Sequence, residues 1–350
     1  MNNSKNWSLE DDLEFIFCST EDIFKSLKGA NIFFTGGTGF IGCWLLESLR
    51  YANLRLQLGV NVTVLTRNYQ GFLAKAPHLA EYPGFKFVSG DVCNFKDLPG
   101  EYSHIIHAAT DASAQLNEND PIKMFDTVVE GTRRVLQFAA EKKPEKFLFL
   151  SSGAVYGQQP WEMEHVTEAW IGAPSCLEPK SAYAEGKRAA EMLCVLYAKQ
   201  FNLHISIARI FALLGPYLSL DIHFAAGNFI RDAMHGKAII VKGNGLPCRS
   251  YLYAADLTVC LWHILQAGEA NQAYNVGSDI SVSIKQLAEV TAKVLAAGEY
   301  QILDANDTGW NLGRYVPDNS LINRKFGLKQ TVSLEEAIRR TALWHGWKEN

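Results

Sequence analysis

Apolar residues along this chain come in short runs separated by longer mixed stretches. The runs at 31–35, 60–66, 85–89, 104–109, 146–151 and 204–210 are compact and rich in Val, Ile, Leu and Phe, and several end at Gly or Ser. Such runs predict strands buried on both faces. The stretches at 40–54, 124–141 and 181–201 between them predict helices. This alternation predicts an α/β fold built on a doubly wound parallel sheet. Ahead of the first strand, Ser8-Leu9-Glu10-Asp11-Asp12 and Ser19-Thr20-Glu21-Asp22 each pair an N-cap residue with an acidic first turn. They predict one or two short helices over 8–28, packed on the domain surface or on a second subunit. After Gly215-Pro216-Tyr217 the pattern loosens into helices at 228–235, 256–267, 284–296 and 334–344 and strands at 238–241 and 249–253. Three parts follow: a helical extension over 1–29, a sheet domain over 30–216, and a smaller lobe over 217–350 that is interleaved with the sheet.

Bulk composition narrows the function classes. With 48% hydrophobic and 20% charged residues, the 350-residue chain has an ordinary globular balance. A net charge of −4 provides no basic field, which argues against a nucleic-acid partner. Any anionic ligand must therefore be held by a few local Arg or Lys residues and by a helix N-terminus. Seven Cys, an odd number without a C-x-x-C pair, read as buried free thiols in a reducing cytosol. No zinc-ligand spacing is present. The polar start, Met1 to Trp7, does not read as a signal peptide, and no apolar run is long enough for a transmembrane helix. The expectation is a cytoplasmic protein.

Candidate chemistry sits at the ends of the predicted strands. Gly36-Gly37-Thr38-Gly39-Phe40-Ile41-Gly42 follows the first strand and opens a helix. In this pattern the first glycine allows a tight turn, the second lets the backbone approach a pyrophosphate, and the third lets helix and strand pack closely. The helix N-terminus adds N–H donors for phosphates. A dinucleotide is the expected ligand. At the end of the second strand, Thr66 cannot make the two carboxylate hydrogen bonds that select NAD, and Arg67 is placed to meet a 2′-phosphate, which tips the choice toward NADP. Asp91-Val92 could bracket the adenine, and His107-Ala108-Ala109 offers small residues where backbone must lie close to the cofactor. Tyr183 and Lys187, four residues apart, share one helix face. An ammonium beside a phenol would lower the Tyr pKa from about 10 toward the range of a general base. Such a pair is common in helices, but here it follows the glycine turn and the motif Ser151-Ser152-Gly153-Ala154-Val155-Tyr156-Gly157. In that order the three point to hydride transfer on a nucleotide-linked sugar.

The combination resembles the extended short-chain dehydrogenase/reductases, the NAD(P)-dependent epimerase/dehydratase family that acts on nucleotide-diphosphate sugars. The likeness spans roughly residues 31–345. Beyond the motifs above it includes Gly90-Asp91-Val92, Gly215-Pro216-Tyr217, Arg249-Ser250-Tyr251-Leu252-Tyr253-Ala254-Ala255-Asp256, Tyr274-Asn275-Val276-Gly277-Ser278 and Arg314-Tyr315-x-x-Asp318. The resemblance implies a Rossmann-type domain with a C-terminal substrate-binding lobe, and NAD or NADP as cofactor. It implies Tyr183 as acid/base, with Lys187 holding the nicotinamide ribose and depressing the Tyr183 pKa. Ser152 would hydrogen-bond the same sugar oxygen, with Gly153 beside it. Arg249 and Arg314 would clamp the substrate pyrophosphate, and Asn228 and Phe229 fall where the family holds the nucleotide. A homodimer paired through the helices at 124–141 and 181–201, and a role in cell-surface polysaccharide sugar synthesis, are also implied.

Departures from the family pattern discriminate between reactions. Dehydratases carry an Asp-Glu pair where this chain has Gly153 and Ala154, and decarboxylases of nucleotide glucuronates keep a Glu at the Ala154 position. Neither Gly nor Ala can transfer a proton, so both reactions are disfavoured. Epimerisation or 4-ketoreduction, with hydride transfer at C4, remains. Ala212 stands where the family has a substrate-contacting Asn. Arg314-Tyr315-x-x-Asp318 resembles the dehydratase branch, which keeps 4,6-dehydration as an alternative, with Glu168 or Glu185 as candidate donors. A non-catalytic NADP-binding regulator would be expected to lose Tyr183 or Lys187, and both are present.

Overall fold

A computed structural model of the chain describes residues 7–110, 114–221, 225–297, 299–304 and 313–349. The polar segment 1–6, part of the stretch read as no signal peptide, lies outside the described residues. Helix α1 (Leu9–Ser26) precedes β1 (Asn31–Thr35), α2 (Phe40–Leu56) and β2 (Asn61–Thr66). Then come α3 (Tyr69–Lys75), α4 (Pro77–Ala80), β3 (Phe85–Ser89), β4 (His104–His107), α5 (Ala114–Asn119), α6 (Pro121–Lys142) and β5 (Lys146–Ser152). Helix α7 (Ala182–Phe201), β6 (Ile205–Ile210) and β7 (Leu213–Leu214) complete the first half. The second half comprises α8 (Ala225–Met234), β8 (Ile239–Val241), β9 (Cys248–Arg249), β10 (Leu252–Tyr253), α9 (Ala254–Ala267), β11 (Ala273–Val276) and β12 (Val282–Ser283). It closes with α10 (Ile284–Val294), β13 (Tyr300–Ile302), β14 (Arg314–Tyr315), α11 (Ser320–Phe326) and α12 (Leu334–Trp344).

The main sheet has seven parallel strands in the order β3-β2-β1-β4-β5-β6-β11. The chain winds outward from β1 to β3, then crosses back to β4, leaving a switch point between β1 and β4 where such sheets bind ligands. Register places Thr35 beside both Leu65 and His107, so the carboxyl ends of β1, β2 and β4 are level there. Successive residues point to opposite faces. Phe34 faces a core shared with Trp44 and Trp262, whereas Phe33 faces a second core with Phe138, Phe147 and Phe149. Truncating one of these rings to Ala would cost about 3–5 kcal/mol.

Three sequence expectations change. The extension is one helix, not two. Thr20 lies inside it and spends its hydroxyl on the Ile16 carbonyl (2.6 Å), so the second N-cap signal does not start a new element. This helix packs on α2 and α9 of its own chain, where Asp12 is buried and accepts from Tyr253 (2.6 Å), Trp7 and Arg340. The strand expected at 249–253 is split, β9 pairing with β12 and β14 while β10 pairs with β7. The thiols are all free, but Cys18 and Cys176 are exposed rather than buried. Among the described residues no helix is long and apolar enough to cross a membrane.

Candidate active site

The glycine turn leads from the end of β1 into α2. Gly36 has φ +80°, and a Cβ there would stand 2.5 Å from the Ala108 carbonyl carbon, so only glycine lets β1 and β4 meet at this height. A Cβ on Gly42 would fall 2.4 Å from the Gly36 and Gly37 carbonyl oxygens, which explains the third glycine as a packing position. Gly39 is the N-cap of the 17-residue α2, with no side-chain cap and no acidic residue in the first turn. Its N-terminal N–H groups and dipole thus meet no side-chain anion of that turn. The Thr110 hydroxyl, just beyond β4, is buried without a partner among the described residues. The cradle fits a diphosphate-bearing dinucleotide.

Around this turn the strand ends bring together most of the residues expected to hold the cofactor. Thr38 and Thr66 hydroxyls lie 3.5 Å apart, and Arg67 is exposed beside them in the chain. Asp91 is half-buried and accepts from the Cys93 N–H (2.9 Å). Val92 is buried, facing Gly131 of α6, so its side chain belongs to the core. His107 is likewise a core residue. Its Nδ1 bonds the Thr35 hydroxyl (2.7 Å) and its Nε2 the Thr132 hydroxyl (3.0 Å), and burial pushes its pKa down to about 3. Both ring nitrogens are used, so the His107 side chain is not a cofactor contact, whereas Ala108 and Ala109 remain half-buried at the strand end.

Tyr183 and Lys187 project from the first turns of α7 toward the end of β5. Ser152 is the last residue of β5. Its Oγ accepts from the Ala154 N–H (3.2 Å) and lies 3.4 Å from the Tyr315 hydroxyl. The Tyr183 phenol also interacts with the Ser152 side chain. Ser152 therefore meets two phenols. Lys187 is buried, donates to the Leu150 carbonyl (2.8 Å), and has its Nζ 6.0 Å from the centre of the Tyr183 ring. The expected depression of the Tyr183 pKa is corrected by this arrangement. Burial raises it, with Ser152 pulling the other way, while burial lowers Lys187 to about 8.

The substrate residues converge only in part. Arg249 is paired in register with Tyr315, and Arg314 with Cys248. Paired positions share a sheet face and neighbours in sequence alternate. Arg249 thus lies on the Tyr315 face, donating to the carbonyls of Cys248 and Gly313. Arg314 lies on the other face, its guanidinium 4.5 Å from the Trp161 ring and its buried Nε without a partner. The two side chains thus leave their strands on opposite faces. In α8, Asn228 accepts from Arg231 (3.2 Å), while the Phe229 ring is buried in the main core, so Phe229 is not a ligand-facing ring. Glu168 accepts from the Asn275 N–H (2.8 Å) and Glu185 pairs with Arg188 (3.6 Å), so both carboxylates have structural partners. Tyr315 and Phe211 were assigned no role in the sequence. Their rings stack at 4.5 Å, and a Cβ on Gly153 would stand 2.6 Å from the Phe211 ring.

The model of the NAD dependent epimerase/dehydratase family matches residues 32–277, which take in the glycine turn, Ser152, Tyr183 and Lys187. The chain belongs to that family. UDP-glucuronic acid decarboxylase 6 of Arabidopsis thaliana is 30% identical over 310 residues, covering 88% of this chain and 86% of the relative. A dTDP-glucose 4,6-dehydratase of Streptomyces niveus is 25% identical over 321 residues, covering 90% and 92%. Among solved structures, UDP-glucuronic acid 4-epimerase from Bacillus cereus, with UDP-glucuronic acid and NAD, has a TM-score of 0.76 at 21% identity, covering 90% of this chain and 98% of that one. That likeness speaks for the shared fold of the family. The sequence relatives thus include members of more than one reaction class.

Proposed function

We propose that this family member is an NAD(P)-dependent nucleotide-diphosphate-sugar epimerase or 4-ketoreductase acting at C4 of the sugar. The observation that carries the reading is Ser152 in contact with the Tyr183 and Tyr315 phenols at the carboxyl end of β5, on the sheet whose β1 end carries the glycine turn. When bound, the dinucleotide supplies the hydride acceptor and donor. Residues 30–216 would hold it, through Gly36, Thr38, Gly39, Phe40, Ile41 and Gly42 and through Thr66, Arg67, Asp91, Ala108, Ala109 and Lys187. Arg67 favours NADP on the grounds of charge. Tyr183, ionised when it acts as the base, accepts the proton of the sugar hydroxyl when that carbon is oxidised and, as the phenol, returns it on reduction. Ser152 hydrogen-bonds the same oxygen and orients the developing carbonyl. Asn228 and Arg249, in the lobe over 217–350, would meet the nucleotide diphosphate, and Arg314 would add its unpartnered Nε.

Gly153 and Ala154 supply no second acid/base pair, and Phe211 occupies the space a side chain at 153 would need. This supports simple redox at C4 over 4,6-dehydration. The decarboxylase relatives favour a second reading, decarboxylation of a nucleotide glucuronate. Oxidation at C4 makes such a sugar a β-keto acid, which loses carbon dioxide as the electron pair enters the C4 carbonyl, without a base at position 154. The test is to incubate the protein with NAD⁺ or NADPH and a panel of UDP-, dTDP-, CDP- and GDP-sugars, including UDP-glucuronate, and follow products by proton NMR. A C4 epimer or a reduced 4-keto sugar supports the proposal. A pentose product establishes the second reading, and a 4-keto-6-deoxy product overturns both.

The apolar residues Ile122 and Phe125 of α6 and Met192, Val195 and Leu196 of α7 are exposed. This pattern supports a homodimer formed through those two helices. The free thiols support action in a reducing, cytoplasmic compartment.

A further inference from the structure

One turn beyond Lys187, Glu191 is a nearly buried carboxylate, its side chain 12% exposed. It accepts from the Ser151 hydroxyl (2.5 Å) and from Arg209 through Nε (3.0 Å) and Nη2 (2.7 Å). Arg209 reaches on to the Tyr156 hydroxyl (2.9 Å), which in turn donates to Asn275 (2.7 Å), and Asn275 holds the carbonyls of Val166 and Asp318. The network ties α7 to the ends of β5, β6 and β11 and to the segment after β14. It runs directly behind the site, because Ser151 precedes Ser152 and Lys187 bonds the carbonyl of Leu150. None of these groups has a place in the proton transfer itself.

We propose that Glu191 is a positioning residue of the hydride-transfer site, pinning the helix that carries Tyr183 and Lys187 to the strand that carries Ser152 and holding Lys187 in its ammonium form. The inference rests on the function proposed above. Lys187 is 2% exposed, and among the described residues its direct hydrogen-bond acceptor is the uncharged Leu150 carbonyl. A buried ammonium without a nearby anion loses its proton readily. The groups facing it are Tyr183, Glu191 and Cys194 from its own helix and His107 from β4, with the Phe149 ring of β5 at 4.9 Å from its Nζ. His107 is held neutral by burial, and burial pushes the Cys194 thiol far up, so neither supplies charge at neutral pH. Glu191 is the carboxylate among them. Arg209 of β6 holds both its oxygens and orients it, at the cost of some opposing charge. Burial already lowers Lys187 to about 8, so it stands close to neutrality even with Glu191 present.

The test measures dinucleotide affinity by calorimetry from pH 6 to 10 in the whole protein, for wild type and Glu191→Gln. Glutamine keeps an acceptor for Ser151 and removes the charge. Wild-type affinity is expected to fall as pH rises through the Lys187 pKa. In Glu191→Gln that fall is expected to begin about one pH unit lower, with affinity reduced about five-fold at pH 8 and about ten-fold by pH 10, since one pKa unit is a ten-fold change in the protonated fraction once the group is mostly neutral. Lys187→Met, which removes the titrating group, is expected to bind weakly with no such fall. If Glu191→Gln does not fold, Glu191→Gln/Arg209→Gln leaves no unpaired guanidinium, and the same downward movement is expected. A variant that loses thermal stability but keeps the wild-type pH dependence shows a merely structural carboxylate and overturns the proposal. A wild-type protein that binds no dinucleotide at any pH overturns the functional reading itself.

Discussion

Tyr183 and Tyr315 both reach Ser152, and only Tyr183 carries a chemical role in the sequence motifs. Tyr183, Lys187, Ser152 and the glycines announce themselves through local spacing. Tyr315 arrives from β14, 163 positions from Ser152, and only tertiary packing shows that it belongs there. Replacing Tyr183 with Phe should lower turnover about 10²–10⁴-fold, the usual worth of a positioned acid/base, while calorimetric dinucleotide binding persists. Undiminished turnover would remove Tyr183 from the chemistry. Gly153→Ala probes the other side. Its Cβ would press on Phe211, which stacks on Tyr315, so a loss of about 1–3 kcal/mol in urea unfolding is expected together with reduced turnover. His107 and Phe229 show the limit of motif reasoning. Both sit in matching positions, yet their side chains fill the core, because a motif can mark a backbone path as easily as a contact.

At the scale of elements, the first six strands of the sheet were readable as short apolar runs, and β11 was not. Its Ala-Tyr-Asn-Val sequence places a buried Asn275 in a central position, tolerated because Tyr156, Val166 and Asp318 satisfy its side chain. Of the one or two helices expected over 8–28 the structure has one, because an N-cap residue in mid-helix can bond backward instead of starting a turn. The contact between β1 and α6 through His107 carries a pH prediction. Its pKa is about 3 in the fold against an ordinary 6.5, so the unfolded chain binds the extra proton between those values. Stability from this group is present above 6.5 and is lost as pH falls toward 3. Urea unfolding should show wild type losing stability across that window more steeply than His107→Gln, which cannot ionise. Equal slopes would show that His107 does not control the acid limb.

The whole molecule joins a dinucleotide cradle to a lobe that returns β11 and α9 to the main sheet, so the two halves share one core. Family membership could be read from the order of the motifs, whereas the reaction could not. On the proposed function, the choice among epimerisation, reduction and decarboxylation would lie in how a sugar sits against Ser152 and Tyr315, which meet only in the fold. The exposed apolar face of α6 and α7 gives a prediction at this scale. Wild type should sediment as a dimer, and Met192→Glu/Leu196→Glu as a folded monomer by circular dichroism and ultracentrifugation. A monomeric wild type would contradict that surface reading.

The central claim is that the glycine cradle holds a dinucleotide for hydride transfer at a sugar carbon. The most direct measurement is to denature the purified protein, identify any released dinucleotide and its redox state by mass spectrometry, and titrate the empty protein with NAD⁺ and NADPH. The account predicts about one dinucleotide per chain, either carried or taken up with micromolar-class affinity. Retained NAD⁺ or NADH would favour the epimerase, and an empty protein that binds NADPH would favour the ketoreductase. A protein that neither carries nor binds either dinucleotide would contradict the account.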